Sequence, residues 1–199
     1  MLLAPGSVSA VTANSDQQKG AVGAAPRLSL VVLPFENLSG DPKNDYLADA
    51  ITDDLTSDLS HVTGAFVIAR SSAYTYRGKP TDVRRLNSEL GVRYAVTGSV
   101  RRLATKLRVN VQLASTESGN QLWTGRVDEA LDDIGSWQDG IVTRIATTLG
   151  VTMVDIEGAR SARERPINPD EFDLILRARS LRRRINPPCQ RCSASRASL

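Results

Sequence analysis

The segment that most constrains the fold is residues 28–62, which reads as a strand, a polar loop and a long amphipathic helix. Residues 30–33 form a continuous apolar run with two β-branched valines, which indicates a strand buried on both faces, as inside an α/β sheet. Pro34 cannot donate to a strand ladder, so we expect the regular strand to end about there. The segment predicts the beginning of a β-α-β unit.

Two residues compete to begin the helix of this segment. Asp41 followed by Pro42 would place a capping carboxylate before a proline at the first helical position, and Asn44 is the alternative cap. Beyond them, apolar residues recur at helical spacing and form one stripe, which consists of Leu47, Ala50, Ile51, Leu55, Leu59 and Val62. The sequence therefore predicts one amphipathic helix that reaches about residue 62.

The same helix carries a cluster of carboxylates, which could bind a metal ion or act as general acids. They fall largely away from the apolar stripe and are Asp45, Asp49, Asp53, Asp54 and Asp58. No histidine or cysteine is placed to complete such a site. We interpret the carboxylates as the solvated face of a scaffold helix, and we predict no catalytic residue, no metal ligand and no cofactor.

The pattern after this helix predicts a second parallel strand, a short helix and an antiparallel meander. Residues 66–69 form a second buried strand, whose proximity to the first predicts parallel pairing and a right-handed crossover. A short helix ends at Gly91, and three strands follow at residues 94–100, 106–115 and 121–127. We expect a single α/β domain at residues 27–155, with a mixed sheet of about five strands flanked by helices.

The ends of the chain differ in pattern from this domain. The last domain helix is predicted over residues 132–149, with Trp137 as a core anchor and Gly150 as its end. We predict a flexible linker at residues 1–26, a further amphipathic helix at residues 166–184 and a disordered tail at residues 185–199. Cys189 and Cys192 lie in that tail, where we interpret their CxxC spacing as incidental.

The distribution of charge gives only weak support for nucleic-acid binding, and no nucleic-acid partner is predicted. The formal charge is +3, but ten basic and five acidic residues lie from position 157 onward, which leaves −2 for the rest of the chain. No run of about 18 apolar residues occurs, so no segment is predicted to span a membrane.

Two polar loops form the candidate binding site. The first contains Asn37, Ser39 and Asp41, and the second contains Arg70, Tyr74, Tyr76 and Lys79. Loops that follow parallel strands are where α/β folds bind ligands, and a tyrosine beside a cation could stack on a base or hold a phosphate. The alternative is that the tyrosines pack the loop onto the domain. The loops contain no G-x-G-x-x-G and no P-loop lysine.

Three stretches resemble the TolB-type amino-terminal domain, and together they cover roughly residues 28–149. They are LSLVVLPFENLSGDPKNDYLADAITDDLTSDLS, FVIARSSAYTYRGKPTDVRRLNSELGVRYAVTGSVRR and LRVNVQLASTESGNQLWTGRVDEALDDI. The version they resemble occurs in rhizobial and other proteobacterial adenylate/guanylate cyclase and tetratricopeptide regulatory proteins. The helix at residues 166–184 resembles the first helix of a tetratricopeptide array. Because such arrays need about three repeats, we expect the chain to be a fragment of a longer protein.

The resemblance implies a non-catalytic protein-interaction or regulatory domain of a bacterial multi-domain signalling protein. Its partner would be a protein that contacts the strand at residues 106–115 or the loop at residues 74–79. The chain as it stands would be cytoplasmic, and the domain would face the periplasm in a membrane-spanning parent. The first alternative is a sensor for a nucleotide or other anion, held by residues 37–41 with Arg70 and Lys79. The second is that a cyclase activity belongs to a catalytic domain of longer relatives.

Overall fold

The computed structural model describes residues 25–130 and 136–185, without the side chains of residues 136–139 and 183–185. The interpretation of Trp137 concerns one of these side chains and therefore lies outside what the structure describes. The interpretations of Cys189 and Cys192, and most of the predicted linker and tail, lie outside the described residues.

A six-stranded mixed sheet forms the centre of the fold. Its strands are β1 (Leu28–Val32), β2 (Glu36–Asn37), β3 (Ala65–Val67), β4 (Tyr94–Leu103), β5 (Lys106–Ser115) and β6 (Gln121–Ala130). The order is β3-β1-β4-β5-β6, with the first three strands parallel and the last three antiparallel, while β2 pairs in parallel with β4. The predicted α/β architecture, with its parallel start and antiparallel meander, is confirmed.

Within the described residues, five α-helices accompany the sheet. They are α1 (Asp45–Ser60), α2 (Arg70–Ala73), α3 (Val83–Leu90), α4 (Ser136–Glu164) and α5 (Glu171–Ile185). The predicted end of α3 is confirmed, because Gly91 follows it with φ +64° and its backbone N–H bonds the carbonyl of Asn87. A left-handed residue of this kind costs glycine little, since it has no Cβ to clash.

The two faces of β1 belong to two separate cores because successive strand residues point in opposite directions. Leu28, Leu30 and Val32 lie in the larger core, with the apolar sides of α1 and α4. Val31 and Leu33 lie in the smaller core, which α2 and α3 cover. All five residues of β1 are fully buried, so the prediction that residues 30–33 are buried on both faces is confirmed.

The loop after β1 is more ordered than its turn-forming residues predict. Two residues beyond Pro34 the chain pairs again, as β2, with Ser99 and Val100 of β4. Asp41 then accepts a hydrogen bond from the backbone N–H of Lys43 at 2.9 Å and caps a single 3-10 turn, whereas Asn44 precedes α1 without a side-chain cap. Of the two candidate caps, Asp41 is therefore the one whose side chain performs this role.

The strand predicted at residues 66–69 is parallel to β1, as expected, but it is not buried on both faces. Phe66 is 52% exposed, and no residue of β3 is fully buried. The physical reason is topological. The chain crosses back over β1 to form β4, which leaves β3 at the edge of the sheet, where only one side is covered.

The prediction that Gly150 ends the last domain helix is wrong, because α4 continues to Glu164. The buried series Ile141, Ile145 and Leu149 continues to Met153 along the same side of the helix. Glycine costs a helix interior about 1 kcal/mol relative to alanine, and burial of this stripe outweighs it. At Gly150 an added Cβ would lie 3.1 Å from Val62, so the glycine also permits close approach of the chain after α1.

The predicted amphipathic helix near the end of the chain corresponds to α5, which packs on α4. Leu176 is fully buried in the larger core, and Phe172 packs against that core. An added Cβ on Gly158 would lie 3.0 Å from the carbonyl oxygen of Leu176 and 3.1 Å from Ser180, so the two helices approach closely there. One side of α5 is therefore held by the rest of the fold.

Gly98 provides a test of the packing between β4 and the segment after β1. A Cβ at this position would lie 2.2 Å from the ring of Phe35 and 2.6 Å from the backbone oxygen of Asn110. We expect Gly98→Ala to lower the free energy of unfolding by about 1–3 kcal/mol in urea denaturation, since the ring must move. The matched control is Gly140→Ala in α4, where nothing lies within 4 Å of the new Cβ. It should be neutral or stabilising by up to about 1 kcal/mol, and equal losses in both variants would contradict this account.

Candidate functional site

A cleft lies at the carboxyl ends of β1 and β2, where the first loop faces the second. Its volume is about 700 Å³, within the roughly 300–1,000 Å³ range of ligand pockets. The cleft lies between the connection that follows β1 and the connection that follows β3, and the helices of these connections cover opposite faces of the sheet. Crevices at such switch points are the usual ligand sites of open α/β sheets.

The floor of the cleft consists of uncharged polar side chains from two paired strands. Thr97 of β4 lies opposite Gln112 of β5, and Ser99 lies opposite Asn110. Asn110 donates a hydrogen bond of 3.3 Å to the hydroxyl of Ser99. Neither Thr97 nor Gln112 forms a side-chain hydrogen bond with any residue that the structure describes. The floor therefore presents amide and hydroxyl groups that a bound molecule could satisfy.

The walls of the cleft bring together three of the predicted site residues, Asn37, Tyr76 and Lys79. The side-chain amide nitrogen of Asn37 already donates two hydrogen bonds, to the carbonyl of Asp41 at 2.9 Å and to the carboxylate of Asp45 at 2.6 Å. The hydroxyl of Tyr76 donates to Glu89 at 2.5 Å. Lys79 pairs with no other described residue, so its ammonium group is the available cation of the cleft.

Arg70 and Tyr74 lie outside the cleft, in a cluster that fastens the second loop to α1. Arg70 forms an ion pair with Asp53 and donates to the hydroxyl of Tyr74 at 3.0 Å. That hydroxyl donates to Asp49 at 3.1 Å, and Arg77 forms an ion pair with the same carboxylate. The guanidinium carbons of Arg70 and Arg77 lie 4.5 and 5.3 Å from the centre of the Tyr74 ring, within cation–π range.

This cluster changes the interpretation of the aspartates on α1. The side chains of Asp49 and Asp53 are only 29% and 31% exposed, so these two are not part of a fully solvated face. Burial raises the pKa of Asp53, Arg70 opposes the rise, and the charge of Asp49 adds to it. One oxygen of Asp53 is buried and accepts no hydrogen bond from any residue that the structure describes. For Tyr74, the interpretation that a tyrosine packs the loop onto the domain agrees with its contacts.

Ser39 and Asp41 stabilise the first loop and do not line the cleft. The hydroxyl of Ser39 accepts a hydrogen bond of 2.8 Å from the backbone N–H of Arg102, and Asp41 caps the turn before α1. The anion site predicted from residues 37–41 with Arg70 and Lys79 is therefore divided, because only Asn37, Leu38 and Lys79 of that set line the cleft.

The residues of the cleft floor were missed by the sequence interpretation. The alternation of β5 already places Asn110 and Gln112 on its polar side. Their partners Thr97 and Ser99 follow only from the strand register, which no local pattern supplies. Because β5 lies between β4 and β6, only its side chains, and not a free strand edge, are available to a partner.

A second candidate surface lies on the outer side of α5. Leu174, Ile175 and Leu181 are 53%, 40% and 56% exposed, although large apolar side chains are usually covered. The helix that bears them is held on α4, because Arg177 donates hydrogen bonds to the backbone oxygen of Ser161 at 2.6 Å and to the hydroxyl of Ser161 at 3.0 Å. We call Leu174, Ile175 and Leu181 the apolar stripe of α5.

Two further features are absent from the described part of the chain. No group of three or more His, Cys, Asp or Glu side chains there is arranged to hold a metal ion. Within the same residues, none of the helices combines the length and apolar character needed to cross a membrane.

The chain is similar to part of a longer curated protein. It is 44% identical over 151 residues to "Putative adenylate cyclase 3" of Rhizobium meliloti (strain 1021), and the match covers 76% of this chain and 26% of that protein. The chain thus spans about a quarter of the length of this relative. No protein-family model matches the chain.

Several solved structures show distant similarity. Lipoprotein GNA1162 from Neisseria meningitidis has a TM-score of 0.48 and 15% identity, with coverage of 61% of this chain and 96% of that one. The LpoB C-terminal domain from Salmonella enterica has a TM-score of 0.43 and 15% identity, with coverage of 56% and 87%. TolB from Acinetobacter baumannii has a TM-score of 0.42 and 14% identity, with coverage of 75% and 31%. The TolB-type resemblance stays a prediction.

The pKa of Asp53 gives a test of the cluster on α1. A carboxyl whose folded pKa is raised above the ordinary value near 4 lowers stability when ionised, and this loss disappears as the pH falls through the raised pKa. We therefore expect the protein to gain stability relative to its Asp53→Asn variant between about pH 7 and about pH 4. Urea denaturation at several pH values measures the difference.

Asp128 provides a control of opposite sign. Arg108 donates two hydrogen bonds to Asp128, at 2.8 and 2.9 Å, and lowers the pKa of this carboxyl. Its stabilising effect is present above the ordinary pKa and is lost as the pH falls through the lowered one. The protein should therefore lose stability relative to Asp128→Asn below about pH 4. Parallel pH dependences for the two variants would contradict the assignment.

Proposed function

We propose that the chain is a non-catalytic regulatory domain of a longer bacterial signalling protein and that it acts by binding a protein partner. The observation that carries this proposal is the apolar stripe of α5. A helix that is anchored on one side and exposes three large apolar side chains on the other is suited to receive another helix. Similarity to a quarter of a longer protein named as a cyclase supports a role as one module among several.

The chemistry of α5 favours an acidic, amphipathic partner. Leu174, Ala178 and Leu181 are all exposed and follow spacings of four and three residues, which is the spacing of a seam between packed helices. The described part of the second half of α5 is basic, because it carries Arg179 and Arg182 in addition to Arg177, which contacts α4. A partner helix with apolar residues along its seam and carboxylates beside them would complement both features.

Site-specific photo-crosslinking in cells that produce the natural full-length protein tests this proposal. A photoreactive residue at Leu174 or Leu181 should crosslink to one and the same protein segment, identified by mass spectrometry. Leu122 on β6 is the matched control, because it is an apolar residue of similar exposure, 38%, that lies on the sheet and not on α5. Leu181→Ser should reduce the yield at position 174 by at least about tenfold if the stripe carries the binding energy. Equal crosslinking at all three positions would contradict the proposal.

The proposal assigns any cyclase chemistry to the remaining three quarters of a protein such as the Rhizobium meliloti relative. Assays of the purified chain with ATP or GTP and Mn²⁺ test this assignment. Turnover that depends on chain concentration would overturn it.

A second candidate function is the sensing of a small polar ligand in the cleft. The specific observation is the set of available groups there, the Lys79 ammonium and the Thr97 and Gln112 side chains, in a cavity of about 700 Å³. One available cation above an uncharged floor fits a hydrogen-bonding ligand with at most one negative group better than a triphosphate.

Thermal-shift titration with ATP, a neutral trisaccharide and a tripeptide distinguishes the possible ligands. Ligand that binds only the folded state raises the unfolding temperature, and about 100 Kd of ligand adds about 2.7 kcal/mol. We expect Gln112→Leu to weaken every ligand that binds, and Lys79→Gln to weaken only the anionic ones. Lys106→Gln, at the hairpin between β4 and β5, is the control for loss of a positive charge. No shift with any of the three probes would exclude this function for them.

A further inference from the structure

The chain entering β1 and the start of α5 are joined by a bidentate ion pair. One Arg27 nitrogen donates to one Asp170 oxygen at 2.7 Å, and a second nitrogen donates to the other oxygen at 2.5 Å. The first nitrogen also lies 2.9 Å from an oxygen of Asp173. Because the guanidinium group is planar and its donors are fixed, this geometry specifies where Arg27 lies relative to α5.

Asp173 makes this contact more demanding than a surface ion pair. Its carboxylate is only 1% exposed, and its charged partners are Arg27 at 2.9 Å and Arg165 at 3.3 Å. A buried carboxylate that loses a cation carries a large desolvation cost, which it avoids if the helix turn that bears it moves into water. Removal of Arg27 should therefore destabilise the packed position of the first turn of α5.

Asp170 has two roles at the same place. Its carboxylate accepts a hydrogen bond of 2.8 Å from the backbone N–H of Asp173, which is the bond of a helix cap, while it receives both donors of Arg27. Arg27 lowers the pKa of the Asp170 carboxyl, with the backbone bond from Asp173 as the next cause. The cap of α5 and the position of the incoming chain thus depend on one carboxylate.

Phe172 connects a third segment to this cluster. The guanidinium carbon of Arg27 lies 5.8 Å from the centre of its ring. The edge of the ring occupies the space beside Gly64, where an added Cβ would be 2.7 Å from it. Gly64 lies in the turn between α1 and β3 with φ +83°. The first turn of α5 is therefore seated against that turn and held from the other side by Arg27.

We propose that Arg27 is a positioning residue that couples the chain ahead of β1 to the first turn of α5. When that chain is displaced, Arg27 loses its contacts with Asp170 and Asp173. The first turn of α5, which carries Leu174, then moves away from the turn between α1 and β3. The second half of α5 stays in place through Leu176 and Arg177. This coupling would regulate the proposed partner-binding surface. Only its biological consequence rests on that proposed function. The coupling itself is measurable without a partner.

Hydrogen exchange of the full chain tests the coupling. In Arg27→Ala, amides 174–178 should exchange at least about tenfold faster, while those of β4 and β5 keep their rates. Arg27→Lys should show a smaller acceleration, since the charge stays but the two-pronged contact is lost. The control is Arg108→Ala, which removes a bidentate pair of similar geometry on the hairpin and should leave α5 unchanged. Unchanged exchange in Arg27→Ala, or equal acceleration throughout the fold, would overturn the proposal.

A double-mutant cycle supplies an independent measurement. Asp170→Asn removes the charge of the ion pair but keeps a side-chain oxygen that can cap α5. Arg27→Ala and Asp170→Asn should each accelerate exchange in the same amides, and the double variant should show less than the product of the two accelerations. Independent effects in a folded double variant would overturn the ion-pair explanation.

The crosslinking experiment separates this inference from the proposed function. Faster exchange without specific crosslinks at Leu174 and Leu181 would retain the coupling and remove the partner. Specific crosslinks together with unchanged hydrogen exchange in Arg27→Ala would retain the partner and remove the coupling.

Discussion

The rest of the structure depends on the burial of β1 between two cores. Alternate residues of this strand contact α1 and α4 on one side and the elements around α2 and α3 on the other. Its one polar side chain, Ser29, is fully buried, donates to the carbonyl of Pro26 at 2.5 Å and accepts from the backbone N–H of Arg93 at 3.1 Å. Every polar group that such a strand buries needs a partner, so β1 also orders the segments before itself and before β4.

Buried carboxylates attach the last two helices to this centre. Glu157 of α4 is 2% exposed, accepts a hydrogen bond of 2.5 Å from the hydroxyl of Tyr94 and lies 3.4 Å from Arg93. Burial raises the pKa of Tyr94, and the negative charge of Glu157 adds to the rise. Asp173 does for α5 what Glu157 does for α4. Because these charges are tolerated only with their partners, both helices are located by ion pairs as well as by apolar packing.

The two candidate surfaces follow from this arrangement. The cleft exists because the smaller core ends where β4 and β5 pass beyond α3, which leaves polar side chains of the sheet uncovered below the second loop. The apolar stripe exists because α5 buries one side on α4 and has no described neighbour on the other. Arg70, Tyr74 and Arg77 contact the aspartates of α1 and so fix the second loop beside the cleft. Arg27 fixes the helix that bears the stripe.

The sequence by itself determined the local elements whose signals are strong. The apolar run of β1, the alternation of β5 and the glycine after α3 led to correct elements because strand pleat, helix period and left-handed caps act over a few residues. Of the seven candidate site residues, the sequence located the two loops that bear them, and three of the seven line one cleft.

Tertiary structure decided the features that join distant residues. It placed β3 at an edge, extended α4 through Gly150, paired Thr97 with Gln112, and set Asp49 and Asp53 against Arg77 and Arg70. Strand order, register and ion pairing depend on energies shared between segments tens of residues apart, to which local propensity is blind. The contact of Arg27 with Asp170 spans 143 positions of the sequence, and only the packed fold brings those charges together.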